Sequence, residues 1–276
     1  MVSMIVFFIL LASFLPTPEI AVKKPIFFGK HIKLVQYVHD IMPLNILETV
    51  PGSGKKFLKN LEVAYQSADE VVASSETTRI KINKIFSKDK AKLLYLPFSP
   101  SEKSEVKLNA KAVLQYYKLK RESYLICLSV LEQRKNINRL IQAFTLSTTK
   151  PQIKLVLVGD KGEGYKEIIN TYNSLNKKMR DRIIITGFIN EKEKQVLLDN
   201  AKILVHPSID EGLGIPAIEG IINCKPVLAT KLESIQEFAP ENGLVYFEDP
   251  YDIYEMAEQI NHSVQMKYKQ SEIKNK

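Results

Sequence analysis

Two glutamates, Glu211 and Glu219, stand with seven residues between them in the segment Val205–Gly220, VHPSIDEGLGIPAIEG. An apolar run ends at His206, a short loop carries Glu211, Gly212 and Gly214, and Pro216 falls where a helix should begin. Proline suits that position because its missing N–H would have no partner there. Glycines let backbone amides approach a ligand closely, and a helix N-terminus offers free N–H groups with partial positive charge. The two carboxylates add acceptors for sugar or ribose hydroxyls. The segment therefore reads as an anion site flanked by hydroxyl-binding groups.

A second cationic candidate is Arg134-Lys135, directly after the apolar run Tyr124–Val130. That placement favours phosphate binding. Taken alone, Arg134-Lys135-Asn136 also fits a solvated turn with Asn136 capping the next helix, and Glu219 alone fits a carboxylate favoured by the helix dipole. Among the histidines, His39 follows a strand and stands evenly between a site and a packing role; His206 reads as a packed residue, His31 and His262 as surface residues. Pro51–Lys56, PGSGKK, imitates a phosphate loop but is rejected: Thr49 stands where the first glycine belongs, and Lys56 where a Ser or Thr belongs. No G-x-G-x-x-G follows a strand, which disfavours a dehydrogenase.

These residues need elements to hold them. Ile32–Val38, Glu70–Ala73 and Leu93–Leu96 read as strands in the first part, with helices over Gly54–Ala68 and Ser75–Phe86, the latter capped by Ser74 or Ser75. Further on, Tyr124–Val130, Lys154–Val158, Arg182–Thr186, Ile203–His206, Pro226–Ala229 and Leu244–Phe247 read as strands. Helical patterns over Ile137–Leu146, Gly164–Leu175, Glu191–Asn200, Ile215–Asn223 and Ile253–Ile260 alternate with them. Apolar strands alternating with helices imply parallel sheets covered on both faces. The Lys- and Ser-rich start of Pro100–Arg121 reads as a linker. The boundary falls near Leu114, giving one domain over 1–114 and a second over 115–276.

The bulk properties agree with a globular α/β protein. Of 276 residues, 45% are hydrophobic and 25% charged, and the net charge of +8 favours anionic partners. No Arg-rich cluster or aromatic stripe points to nucleic acid. The two cysteines, Cys127 and Cys224, read as buried free thiols in a reducing cytoplasm. No Cys/His spacing suggests a metal site. Met4–Leu15 is nearly all apolar but too short for a bilayer, which needs about 20 residues. It reads as a buried strand with its loop, and second as a peripheral anchor on the cytoplasmic face of a membrane.

The Glu211…Glu219 pair resembles the E-x7-E signature of retaining glycosyltransferases with the GT-B fold, the glycosyl transferases group 1 family, also called family 4. Leu128–Phe144 (LSVLEQRKNINRLIQAF) resembles the family's donor-phosphate segment. Lys154–Asp160 (KLVLVGD), Thr186–Phe188 (TGF), Cys224–Thr230 (CKPVLAT) and Asn242–Pro250 (NGLVYFEDP) resemble its later strands and turns, in order, across roughly Tyr117 to Ile260. More loosely, Tyr37–Pro43 (YVHDIMP) resembles the family's His-Asp motif.

The resemblance implies two Rossmann-like domains, a partial acceptor-side one over 1–114 and a nucleotide-sugar donor-binding one over 115–276, and a transfer of hexose from a nucleoside diphosphate sugar to a glycan or lipid-linked acceptor. Arg134 and Lys135 would neutralise the diphosphate. Glu211, Gly212 and Gly214 would meet the transferred sugar and phosphate, Glu219 would bind the ribose, and His39 would lie near the sugar, so that His39 and Glu211 are the catalytic candidates. No metal and no cofactor beyond the donor are implied. The form Arg134-Lys135-Asn136-Ile137 resembles mannosyltransferases of surface-polysaccharide assembly. Ser129 departs from the family's usual glycine. Only 38 residues precede His39 and no Gly-rich loop is present among them, so the expectation is a chain shortened at both ends. A non-catalytic nucleotide-sugar module and another GT-B enzyme, such as a nucleotide-sugar epimerase, are the alternatives.

Overall fold

The computed structural model describes residues 34–41, 53–95, 108–238, 243–266 and 273. The expectations for Met4–Leu15 and His31 lie outside these residues. The chain divides into two compact units, Met1–Pro97 with Glu211–Leu213, and Phe98–Asp210 with Gly214–Lys276.

The first unit holds a parallel sheet in the order β1 (Val35–Val38), β2 (Glu70–Ala73), β3 (Ala91–Leu93), with helices α1 (Ser53–Ser67) and α2 (Glu76–Ile85). Val38, Val71, Ala73 and Ile82 are fully buried, and Tyr65 stacks on Phe86 at 4.3 Å between ring centroids. Ser75, not Ser74, caps α2: its Oγ accepts from the Thr78 amide at 3.1 Å. A side-chain oxygen there satisfies one of the amides that the first turn leaves without a partner. The Ser74 hydroxyl donates instead to the His39 carbonyl, joining the ends of β1 and β2.

The second unit is a six-stranded sheet, all parallel, built from β4 (Tyr124–Leu128), β5 (Lys154–Val158), β6 (Ile183–Gly187), β7 (Ile203–His206), β8 (Val227–Thr230) and β9 (Leu244–Phe247). Alternate residues of β4 and β5 feed two separate cores. Leu125, Cys127, Leu155 and Leu157 pack with α4 (Ile137–Leu146), α5 (Tyr165–Ser174) and α10 (Ile253–Gln265). Tyr124, Ile126, Leu128, Val156 and Val158 pack with α7 (Glu191–Asn200) and α8 (Ile215–Ile222). A strand buried on both faces must be apolar at every position, which is why these strands read as continuous runs. Each such side chain, fully withdrawn from water, stabilises the fold by about 1.5–3 kcal/mol.

Strand order is β6-β5-β4-β7-β8-β9. The chain builds outward from β4 through β5 and β6, then returns to the other side of β4 with β7. Connections therefore diverge at the carboxyl ends of β4 and β7, the switch point where ligands bind in open α/β sheets.

The stretch read as linker holds a helix, α3 (Ala110–Tyr116). Asn109 caps it, its Oδ1 accepting from the amides of Lys111 at 3.0 Å and Ala112 at 3.3 Å. The boundary expected near Leu114 falls inside α3, whose Val113 and Leu114 pack against the core of the second unit. Two one-turn helices also went unread, α6 (Lys177–Arg180) and α9 (Glu233–Gln236). Among the described residues no helix is long and apolar enough to cross a membrane.

Candidate functional site

The loop after β4 carries Arg134 and Lys135. It is held down at both ends: Ser129 donates to Val158 O at 2.9 Å and Leu131 to Asp160 O at 2.8 Å. A single 3₁₀ turn, Gln133–Lys135, leads to Asn136 in the left-handed region at φ 59°. Gly159, at φ 148°, lies so close beneath this loop that any Cβ would collide with the Ser129 carbonyl. Asn136 precedes α4 but its side chain does not cap it; Nδ2 donates to Pro250 O at 2.6 Å, and Oδ1 accepts from Arg139 at 3.1 Å. The alternative of a solvated turn with Asn136 as side-chain cap is thereby corrected, since Asn136 is 1% exposed and bonded elsewhere.

Arg134 is nearly buried. Its Nη2 forms an ion pair with Glu132 Oε1 at 2.6 Å, and Nη1 donates to Asp210 O at 3.4 Å. Lys135 is half-buried beside it. Below this loop, burial pushes the Cys127 thiol up to about 12, against smaller opposing contributions from Ser129 and the Lys135 charge. Cys127 is thus the buried thiol expected, whereas Cys224 is only half-buried.

The loop after β7 lies at the neighbouring strand end and is stitched to the first, Ile209 donating to Arg134 O at 3.0 Å. Gly214 takes φ 78° and starts α8 with no side-chain cap bond. A Cβ on it would stand 2.9 Å from Ile235 Cγ1. Only glycine enters the helix by this route without strain.

Within the first unit, the tripeptide Glu211–Leu213 meets the ends of β1 and β2. Gly212 O accepts from Ser75 Oγ at 2.6 Å and from Thr78 Oγ1 at 3.3 Å. A Cβ on Gly212 would collide with Asp40 and with the His39 carbonyl. His39 is half-buried, and its Nδ1 has no hydrogen-bond partner among the described residues. Glu211 is half-buried. The sequence-read residues therefore fall into two groups: His39, Glu211 and Gly212 in the first unit, and Arg134, Lys135, Gly214 and Glu219 in the second.

Glu219 projects one turn into α8. Its Oε1 meets Lys194 Nζ of α7 at 3.1 Å, and the same ammonium meets Glu191 Oε1 at 2.9 Å. Burial alone would pull the Lys194 ammonium down; the two carboxylates outweigh it and hold it above the ordinary lysine value. Lys194 carried no signal in the sequence beyond an i,i+3 pairing with Glu191, which is the pattern of any solvated helix face.

Two parallel α/β sheets with glycine-led loops at a switch point define the GT-B-like class of fold. The family model for glycosyl transferases group 1 matches residues 112–276, and the chain belongs to that family. It is 25% identical to O-antigen chain mannosyltransferase B of Escherichia coli over 84% of this chain and 61% of that protein. It is 24% identical to O-antigen chain mannosyltransferase RfbU of Salmonella typhimurium over 76% of this chain and 55% of that one. The chain thus spans a little over half the length of these curated relatives. Among solved structures, Anabaena HepE in complex with UDP and glucose superposes with a TM-score of 0.71 at 21% identity, covering 85% of this chain and 62% of the other.

Proposed function

We propose that this protein transfers a hexose, with mannose the favoured one, from a nucleoside diphosphate sugar to a glycan or lipid-linked acceptor, with retention of anomeric configuration. The observation that carries this reading is the pair of stitched loops at the carboxyl ends of β4 and β7, which ties the Arg134-Lys135 turn to the segment that leads into the glycine-led start of α8. Family membership and the O-antigen mannosyltransferases among the relatives support the transferase class and the mannosyl preference.

In this reading Arg134 and Lys135 neutralise the diphosphate as the bond from the sugar C1 to its phosphate oxygen breaks and the diphosphate leaves with the electron pair. The amides at the start of α8 add positive potential, and Glu219 takes the ribose hydroxyls. His39 and Glu211 contact the transferred sugar. The acceptor hydroxyl forms the new bond to C1 and passes its proton to the departing phosphate oxygen. Fixed charges aimed at the leaving group stabilise the transition state without reorganising, usually the largest single contribution to catalysis. Action at the cytoplasmic face of a membrane belongs to the same proposal.

The test is binding of UDP and GDP by calorimetry, with Glu219→Ala beside the native sequence. Losing a bond to a charged group is worth about 1.5–3 kcal/mol, so affinity should fall by about one to two decades. An unchanged affinity would remove Glu219 from the ribose. Detection of a new glycosidic bond, with donor hydrolysis measured alongside, tests transfer itself.

A further inference from the structure

We propose that Lys194 is a positioning residue for donor binding: it clamps Oε1 of Glu219 and leaves Oε2 presented to the ribose of the nucleotide. This rests on the ribose role of Glu219 proposed above.

The geometry has three parts. First, the Lys194 contact is made to one oxygen only, Nζ to Oε1 at 3.1 Å, and Oε2 has no protein donor among the described residues. The Glu219 side chain keeps 30% exposure. Second, Lys194 is itself oriented. Glu191 holds the ammonium from the preceding turn at 2.9 Å, and the Lys194 side chain is only 20% exposed. Third, the helix that delivers it is anchored on its other side. Leu197 and Leu198 are buried in the core, Tyr124 Oη donates to Leu197 O at 2.6 Å, and Tyr117 Oη donates to Glu193 Oε1 at 2.7 Å.

A second bond runs between the same two helices. Gln195 Nε2 donates to Asn223 Oδ1 at 2.8 Å, and Asn223 Nδ2 donates back to the Glu219 carbonyl at 2.7 Å. Consecutive residues of α7 therefore address the side chain and the backbone of one glutamate. A glutamate has three side-chain torsions, and ordering them on ligand binding costs affinity. A carboxylate already locked in place avoids that loss. The pair contributes little to folding, because partly exposed ion pairs are nearly balanced by desolvation and side-chain entropy. Its consequence should therefore appear in binding.

The experiment uses the full chain and calorimetric titration with UDP, GDP and their 2′-deoxy forms. Lys194→Met keeps most of the aliphatic stem and removes the charge. Expected is about a five- to twenty-fold loss of affinity for the ribonucleotide that binds, which falls inside the range of coupling between contacting groups. The loss for its 2′-deoxy form should be smaller, so discrimination between the two narrows. Lys194→Arg should restore both. In a Glu219→Gln background, Lys194→Met should have no further effect. A structural role for Lys194 would lower the melting temperature and weaken both nucleotides equally, which overturns the proposal. Unchanged or tighter binding in Lys194→Met, with Glu219→Gln weakened, overturns it while leaving the ribose role of Glu219 intact. Unchanged binding in Glu219→Gln overturns both.

Discussion

The amide of Ile209 donates to the carbonyl of Arg134 at 3.0 Å, so the loops that follow β7 and β4 are a single hydrogen-bonded unit. The Arg134 guanidinium reinforces this by reaching Asp210 O. Residues far apart in the chain become neighbours because β4 and β7 are adjacent in the sheet. The cationic turn and the glycine-led helix start are thereby held at one strand edge before any ligand arrives.

Arg134 and Lys135 should separate on substitution. Glu132 is 15% exposed and meets the Arg134 guanidinium at 2.6 Å. Arg134→Ala leaves that carboxylate without its closest cation and should lower stability by about 1–3 kcal/mol, the cost of a poorly hydrated polar group losing its partner. Lys135→Ala should weaken UDP or GDP about tenfold, the scale of one charge-assisted bond. Uridine or guanosine, lacking phosphates, should not sense Lys135. Equal losses for nucleoside and nucleoside diphosphate would make Lys135 a structural residue.

Two glycines offer a matched pair. Gly214 has φ 78° and would place a Cβ 2.9 Å from Ile235 Cγ1, whereas Gly187 has φ 72° with nothing within 4 Å. Alanine at either position meets the left-handed backbone cost of about 1–2 kcal/mol. Gly214→Ala must also move Ile235, which is 1% exposed, and should be the more destabilised variant by urea titration. It should also weaken nucleotide binding, since it shifts the start of α8. Equal stability of the two variants would show that the Ile235 contact yields without cost.

Alkaline pH should unfold the second unit early. Burial raises the ionisation of Cys127 and of Tyr246 to about 12, and that of Tyr124 further still. A raised value in the fold means that the native state keeps a proton that the unfolded chain releases. The corresponding stability is complete below the unfolded values, about 8.5 for cysteine and 10 for tyrosine, and is lost as pH rises from there through 12. The urea midpoint should fall steadily above about pH 8.5, and Cys127→Ala should delay the start of that fall. A midpoint flat to pH 11 would contradict the burial of these groups.

Donor binding should survive excess chelator. In the proposed reading, Arg134 and Lys135 would supply the positive charge that a bridging cation would otherwise bring to the diphosphate. Calorimetry with and without EDTA should give the same affinity for UDP or GDP. A strict requirement for magnesium or manganese would overturn the proposed role of this pair.

Much of the second unit was legible in the chain. β5, β7, β9, α4 and α7 begin and end at the residues that the apolar pattern marked. Strands buried on both faces need apolar residues throughout, and the flanking helices need them once per turn, so two periodicities alternate cleanly. The same holds for the position of Glu219 after Gly214 and Pro216, since helix-start chemistry is local. Less was legible where local signals weaken. β3, expected over Leu93–Leu96, lies at Ala91–Leu93, because its register with Val71 and Val72 is set by pairing and leaves Leu94 and Tyr95 exposed. α3 has no fully buried residue and so lacked the apolar stripe that would have revealed it.

The site divides along the same line. Residue types and spacing by themselves determined that a basic turn and a glycine-led loop with Glu211 follow strand ends and that Glu219 lies a turn into the next helix, because each depends on neighbours within one or two turns of chain. Only the tertiary structure decided who engages whom. Glu132 takes Arg134, Lys194 takes Glu219, and Gly212 is the residue that fits against His39 and Asp40. The Lys194–Glu219 and Gly212–His39 contacts join residues far apart in sequence, and Glu132 stands beside Arg134 only through the turn's own fold. Electrostatic pairing falls off with distance in space and is blind to distance along the chain. Strand order sets that distance in space, and no local pattern in the sequence records it.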